Sequence, residues 1–249
     1  MAELSEVVRA RHSSRVAFDS DAAISPSDLR TLLDAARWAP TPHNMQNFEI
    51  AAIDDPNQLA RIGALTDTVS LTFLHENDEQ VARSDEELAT RQTGISARGF
   101  APAWLDPQAW EDPERAAQFT RSLRDSLDGC PLLFVFLHDP ARRAPASEGD
   151  VLGWIGLGCV LENVWLTAQS LGLGCQVLAS LADEGVEPAI RNLLGVPDRL
   201  RVALGCRLGY PLHEVASPPR VRRDAGRWVH HNAYGVPLTR ALDQGVPWN

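Results

Sequence analysis

Arginine residues are concentrated in two segments at opposite ends of the chain. Arg9, Arg11 and Arg15 lie within seven residues, and the run RVRR at 220–223 supplies three more. A guanidinium group is planar and can donate two parallel hydrogen bonds to a phosphate. Guanidinium groups from both segments would neutralise a phosphomonoester through charge-assisted bonds worth about 1.5–3 kcal/mol each. The alternative is a solvated basic helix end, since arginine suits the helix macrodipole there. The pattern favours an anion site shared by the two ends.

The charge of the whole chain restricts what this anion is. The formal net charge is −10 and the pI is about 5.1, which argues against nucleic acid or an anionic membrane as the main partner. The anion must therefore be held locally. All 23 basic residues are arginine, which excludes chemistry based on a catalytic or Schiff-base lysine.

Several common catalytic motifs are missing from the sequence. There is no phosphate-binding GxxxxGK[ST] loop, no HExxH zinc motif and no GxSxG elbow. The nearest dinucleotide fingerprint begins at Gly172, but Val177 occupies the place of its third glycine and a predicted helix precedes it. The adjacent His230 and His231 would point apart on either regular element. The sequence thus predicts no metal site.

The elements that must position the arginines follow an alternating pattern. Helices are predicted around Leu4–Val8, from Pro26 to Pro40 behind a Ser25 cap, from Gln58 to Leu65, from Val151 to Leu171 and from Glu184 to Leu194, and strands in FEIAAI, PLLFVFLHD, CQVLAS and LRVALGCRLGYP. Such alternation predicts a sheet flanked by helices, in the α/β or α+β class.

The chain is predicted to form a single domain over residues 1–249, with two additions. Periodicity weakens over residues 67–129, which we interpret as an insertion, and residues 213–249 form a tail rich in arginine and aromatic residues that docks on the domain. Phe100, Trp104 and Trp110 lie within the insertion. They either pin a long loop or form a lid against which substrates stack.

Cysteine usage and the N-terminus predict a cytoplasmic protein. No apolar signal region follows Met1, and Cys130, Cys159, Cys175 and Cys206 form no CxxC pair, which is typical of buried thiols in a reducing compartment. The long apolar run at 151–171 contains acidic and amide residues, so we expect a buried helix and not a membrane span.

Four segments carry a resemblance to a known family. In order they are RHSSR at 11–15, AARWAPTPHNMQNF at 35–48, LENVWLTAQSLGLGCQVL at 161–178 and RRDAGRWVHHNAYG at 222–235. In order and spacing they resemble the FMN-dependent nitroreductase family. The resemblance covers the chain outside the 67–129 insertion. It implies an α+β sandwich in which helices wrap a central antiparallel sheet, with two chains forming an intertwined homodimer that has one FMN in each interface cleft.

The resemblance also implies which residues bind FMN. Four groups are expected to contact it: Arg11, His12, Ser13 and Arg15 at the phosphate, ribityl chain and pyrimidine edge; Arg220, Arg222 and Arg223 at the phosphate; Pro40, Thr41, Pro42, Asn44 and Gln46 in a loop supplied by the partner subunit; and Val177, Leu178, Ala179 and Ser180 along the ring. The apolar helix at 151–171 would then lie in the dimer interface. Pro42 and Phe48 depart from the family's usual loop, which puts any borrowed substrate preference in doubt.

The implied activity is the reduction of small electron-poor acceptors, such as nitroaromatics and quinones, with NADH or NADPH as donor in a ping-pong hydride mechanism. No catalytic side chain is assigned, because the flavin performs the chemistry. The alternatives are a specialised FMN-dependent dehydrogenase, dehalogenase or flavin-fragmenting enzyme, a flavin-binding protein without turnover, and an interaction domain with solvated arginine clusters.

Overall fold

The elements follow one another as the sequence pattern predicts, with three further helices. The computed structural model describes residues 3–81, 83–96, 113–213 and 220–237. The helices are α1 (Leu4–Ala10), α2 (Pro26–Arg37), α3 (Pro56–Leu65), α4 (Leu71–Val81), α5 (Asp85–Arg91), α6 (Pro113–Asp125), α7 (Val151–Ser170) and α8 (Glu187–Leu194). The strands are β1 (Phe48–Ile53), β2 (Leu132–His138), β3 (Gly174–Leu178) and β4 (Arg201–Gly209).

Helix α2 shows how local sequence sets an element boundary. The Ser25 hydroxyl accepts a hydrogen bond from the Asp28 N–H at 3.1 Å, and Pro26 occupies the first turn, where its missing N–H costs nothing. The helix buries Leu32 and Ala36 on one face. Because the cap and the apolar spacing agree, the predicted start of this helix is confirmed.

The four strands form one antiparallel sheet in the order β1-β2-β4-β3. All seven residues of β2 are buried. Alternate side chains enter two cores: Leu133 packs with residues of α3 and α8, and Phe134 packs with residues of α2 and α7. Helices therefore cover both faces of the sheet, and the predicted α+β sandwich is confirmed.

Helix α7 is buried on one face only. Leu157, Val160 and Val164 lie in the core, whereas Trp154 is 48% exposed and Ile155 is 56% exposed. The expectation of a buried helix is therefore wrong for its first turns. By length and composition alone, the stretch Glu148–Ser170 would also be long and apolar enough to cross a membrane.

The cysteine expectation holds for three of the four thiols. Cys130, Cys175 and Cys206 are buried, whereas Cys159, on α7, is half-buried. All four are free.

The region of weak periodicity contains helices α4, α5 and α6, which the sequence analysis did not predict. Its beginning is tied to the segment that follows β3. The Asp183 carboxylate accepts hydrogen bonds from the Ser70 N–H at 2.9 Å and from the Ser70 hydroxyl at 2.6 Å. Thr68 donates its hydroxyl to the Gly185 carbonyl at 2.9 Å. The start of α4 is thereby held next to the end of β3.

We expect Gly185→Ala to destabilise the protein by about 1–3 kcal/mol. A Cβ at residue 185 would overlap the backbone oxygen of Thr68. Because this atom belongs to the main chain, it cannot move aside as the end of a flexible side chain can. Thermal unfolding followed by circular dichroism measures the effect. Gly226→Ala is the control, since its Cβ would meet Asp224 at an ordinary 3.6 Å. Equal midpoints for the two variants would contradict the prediction.

Candidate functional site

The basic segment, residues 11–15, follows directly from the end of α1. Arg11 caps that helix, and its N–H donates to the Val7 carbonyl at 2.9 Å. The chain then turns towards the sheet, where the Ser14 N–H donates to the Cys175 carbonyl at 2.9 Å. The segment is therefore fixed to α1 at one end and to β3 at the other.

Two side chains of helix α7 contact the basic segment. The Arg11 guanidinium lies 4.5 Å from the centre of the Trp165 ring, and its Nε is 3.4 Å from a carboxylate oxygen of Glu162. The Trp165 indole N–H donates to the His12 carbonyl at 3.1 Å. These contacts hold the backbone and one cation of the segment in place.

One polar atom of the basic segment is buried without a partner among the described residues. It is Nε2 of His12, whose Nδ1 bonds instead to the Ala10 carbonyl at 2.8 Å. Nε of Arg11 is also buried, but it is paired with the Glu162 carboxylate. Buried polar atoms are nearly always satisfied in native proteins, so Nε2 of His12 indicates a place for a polar ligand.

The second arginine cluster meets the first. Arg220 donates from Nη1 to the Arg11 carbonyl at 2.7 Å and from Nη2 to the Arg9 carbonyl. It thus satisfies carbonyl groups at the C-terminal end of α1, a favourable place for a cation. Burial, together with the like charges of Arg222 and Arg11, lowers the pKa of Arg220. Residues separated by about 209 positions therefore form one region of concentrated positive charge.

The donors of this region fit a phosphomonoester. Arg222 is exposed and bonds to the Val221 carbonyl at 2.8 Å, and Arg15 and Arg223 are also exposed. Glu162 is the carboxylate that pairs with Arg11 among the residues the structure describes. Several guanidinium groups of this kind would neutralise a doubly charged phosphate.

The polar loop, residues 40–46, has a strained and internally bonded backbone. His43, Asn44 and Gln46 have φ angles of 51°, 54° and 45°, a region that non-glycine residues rarely adopt. The Gln46 N–H donates to the Thr41 hydroxyl at 3.2 Å, and its side-chain amide donates to Asn44 Oδ1 at 3.1 Å. The loop is therefore built to present the side chains of Asn44 and Gln46, both of which are exposed.

The polar loop rests on a different part of α7 from the basic segment. A Cβ at Gly156 would lie 2.9 Å from Cδ of Pro42 and 3.7 Å from the Pro40 carbonyl, so glycine is needed for this close approach. Gly156 and Trp165 are nine residues apart, or about 14 Å along a helix. The polar loop and the basic segment therefore contact α7 at two separate places.

The exit segment, residues 177–180, lies at the edge of the sheet. Val177 pairs with Cys206 and Leu178 with Gly205, and β3 ends at Leu178. The prediction that a strand continues to Ser180 is wrong, because Ala179–Ala182 forms a 3-10 helix. Ala179 is exposed and Ser180 is buried. The chain therefore leaves the sheet after Leu178, and Ala179 is the first exposed residue that follows β3.

Some predicted site residues are not placed. Phe100, Trp104 and Trp110 lie outside the described residues. In the ranges that are described, no group of three His, Cys, Asp or Glu side chains is arranged to hold a metal ion.

Three residues that hold the site in place do not stand out in the sequence as site residues. They are Glu162, Trp165 and Arg207. Glu162 is the one charged residue on α7, and a lone charge on an apolar helix is a usable signal. Arg207 interrupts an apolar strand. Their partners, however, are distant in sequence and could not have been named.

The fold and the site define a class: an α+β protein with a central antiparallel sheet, in which arginine residues from two distant segments of the chain lie together. The model of the nitroreductase family matches residues 8–210. The chain therefore belongs to the nitroreductase family.

Comparisons with individual proteins agree with this assignment. An NADPH-dependent oxidoreductase of Staphylococcus aureus (strain USA300) is 32% identical over 89 residues, which are 36% of this chain and 35% of that protein. The match thus spans about a third of the relative's length. The NADPH-dependent oxidoreductase of strain MRSA252 is 29% identical over the same length.

Solved structures of nitroreductases have the same fold. The NADPH:FMN oxidoreductase from Vibrio harveyi, solved in complex with NAD+, superposes with a TM-score of 0.61 at 18% identity, covering 96% of this chain and 81% of that one. Nitroreductase A from Vibrio parahaemolyticus gives a TM-score of 0.61 at 18% identity, with coverage of 98% and 82%. At these identities the likeness establishes the fold.

Proposed function

We propose that the protein is an FMN-dependent oxidoreductase that uses NADH or NADPH to reduce small electron-poor acceptors, such as nitroaromatics and quinones, in a ping-pong reaction. The observation that carries the proposal is the convergence of Arg220 on the Arg11 carbonyl at 2.7 Å, which joins the two arginine clusters. NADPH-dependent oxidoreductases among the relatives support the choice of donor.

Different residues of the site would bind different parts of FMN. Arg11, Arg15, Arg220, Arg222 and Arg223 would hold the phosphate, and His12 and Ser13 the ribityl chain and the pyrimidine edge. The backbone of the exit segment would bond to the ring. Bound FMN supplies the transfer of two electrons from the nicotinamide donor to the acceptor. The positively charged region would stabilise the negative charge of the cofactor, because contacts with α1 and α7 already fix the hydrogen-bond donors of that region.

We also propose that two chains form a homodimer through the exposed face of α7. Val151, Trp154 and Ile155 are about half exposed, and a Cβ at Gly158 would meet no atom within 4 Å. Leu4 and Val8 on the neighbouring helix α1 are also exposed. Exposed apolar side chains of this kind are typical of a subunit interface. Each cleft would then combine the basic segment of one chain with the polar loop of its partner. We place this homodimer in the cytoplasm.

An absorption spectrum of the freshly purified protein, recorded before and after anaerobic addition of NADPH, tests the proposal. We expect a yellow protein that NADPH or NADH bleaches and that a quinone or nitroaromatic re-oxidises. Bleaching without turnover of either acceptor would favour a specialised redox enzyme. A yellow protein that neither donor reduces would indicate flavin binding without turnover, and a colourless protein that FMN does not reconstitute would overturn the proposal.

A further inference from the structure

Arg207 on β4 is a buried arginine in the middle of the sheet. It is 4% exposed, and it is the one buried arginine among the residues that the structure describes. Burial lowers the pKa of Arg207, but a guanidinium group stays protonated in proteins. The protein therefore keeps a positive charge in its interior, which is costly unless its N–H groups are well satisfied.

The Arg207 guanidinium joins three separate segments. Its Nε donates to Gln176 Oε1 at 2.7 Å, its Nη1 to the Ser126 carbonyl at 2.7 Å, and its Nη2 to the carbonyls of Ser14 and Val16 at 3.2 and 2.7 Å. The group also lies 4.4 Å from the centre of the Phe18 ring. All of these acceptors are neutral, so the role of Arg207 is not that of an ordinary ion pair.

Two of the three segments belong to the proposed FMN site. Ser14 and Val16 flank Arg15, and Gln176 directly precedes the exit segment. Arg207 thus bonds at once to the backbone that carries a phosphate-binding arginine and to the strand that leads to the ring. The Ser14 N–H also donates to the Cys175 carbonyl, and Ser14 and Phe18 pack closely against Gly174 on β3. Rigid side chains with several hydrogen bonds are suited to fixing such a spacing.

We propose that Arg207 is a positioning residue that sets the distance between the phosphate-binding and ring-binding halves of the FMN site. This inference rests on the proposed function, since FMN is the ligand that spans both halves. A ligand that uses both halves gains affinity from their fixed spacing, whereas a ligand that uses one half does not. Loss of the tie therefore penalises FMN most. Riboflavin would still meet His12, Ser13 and the exit segment but lacks the phosphate that Arg15 would hold, so it loses less, and inorganic phosphate loses least.

The test compares the full-length chain with two variants. Arg207→Lys keeps the positive charge but loses the planar guanidinium group with its several N–H donors. Gln176→Leu is milder, because it removes only the acceptor on β3. Arg199→Lys is the matched control, because Arg199 bonds to Glu49 at 2.8 Å and Asp139 at 3.3 Å, away from the segments that Arg207 joins. Titrations with FMN, riboflavin and inorganic phosphate give three dissociation constants for each variant. Hydrogen exchange of residues 12–18, relative to α8, reports the tie without any flavin.

For Arg207→Lys we expect the dissociation constant of FMN to rise about tenfold or more. The dissociation constant of riboflavin should rise by less than that of FMN, that of inorganic phosphate should stay within about threefold of the parent's value, and exchange at residues 12–18 should quicken. Gln176→Leu should show the same pattern more weakly, and Arg199→Lys should show none of it. A parallel loss for all three ligands, or unchanged exchange, overturns the inference. If the parent protein binds no flavin, the proposed function fails, whereas the exchange data still decide whether Arg207 holds residues 14–16.

Discussion

The double variant Arg220→Ala/Arg222→Ala should bind FMN about 10²- to 10⁴-fold more weakly than the parent protein, while its affinity for riboflavin changes by less than about threefold. Each guanidinium–phosphate contact is worth about 1.5–3 kcal/mol, and riboflavin lacks the phosphate that receives it. Arg220 also bonds to the Arg11 carbonyl, so the loss includes the tie that keeps the tail on α1. Fluorescence titration with both flavins measures the two affinities.

A matched double variant separates the local effect from a change in net charge. Arg30→Ala/Arg61→Ala removes the same two charges from exposed positions on α2 and α3, and it should leave both affinities unchanged. Equal weakening of FMN by the two double variants would mean that long-range charge, not a phosphate contact, is responsible. Equal loss of FMN and riboflavin in Arg220→Ala/Arg222→Ala would place these arginines away from the phosphate.

Ile155→Arg should convert the dimer to monomers and release FMN with it. Ile155 is 56% exposed on α7, and a two-fold axis near this face would bring both introduced charges into the same apolar interface without a counter-charge. A buried unpaired charge costs several kcal/mol per ion, so we expect the dissociation constant of the dimer to rise at least about 10³-fold. Light scattering after size-exclusion chromatography gives the mass, and the absorption spectrum gives the flavin content.

Asn192→Arg serves as the control, since Asn192 is an exposed residue on α8, on the other face of the sheet from α7. It should remain dimeric and yellow. A dimeric Ile155→Arg protein would exclude this face of α7 as the interface. A monomer that retains full FMN content would show that the polar loop of a partner is not part of the site.

The elements that the sequence predicts well are those whose signal is local. Ser25 and Pro26 mark the start of α2, and the unbroken apolar run of β2 marks a strand buried on both faces. Helix α4 was missed because its apolar periodicity is weak, α5 because it has only seven residues, and α6 because most of its residues are polar. The exposed first turns of α7 do not follow from its composition, because an apolar helix with one exposed face has the same composition as a core helix.

The candidate site divides in the same way. The two arginine clusters can be recognised in the sequence by their residue type. The resemblance to the nitroreductase family, which depends on the order of four segments, indicated that both clusters bind the same ligand. The contact between Arg220 and Arg11 depends on how the tail returns to α1, which no local pattern encodes. The supporting roles of Trp165 and Arg207 depend on three-dimensional contacts over 31 to 193 positions. Such residues carry no motif of their own.

The position of β3 has a consequence for how this scaffold diversifies. Among the described strands β3 ends the sheet, so a ligand beside it is recognised by main-chain amides whatever side chains the strand bears. In the proposed site, substitutions at Val177 or Ala179 would reshape the space above the ring while retaining the cofactor. A lineage built on that arrangement would exchange one acceptor for another in small steps, none of which passes through an enzyme that has lost its flavin.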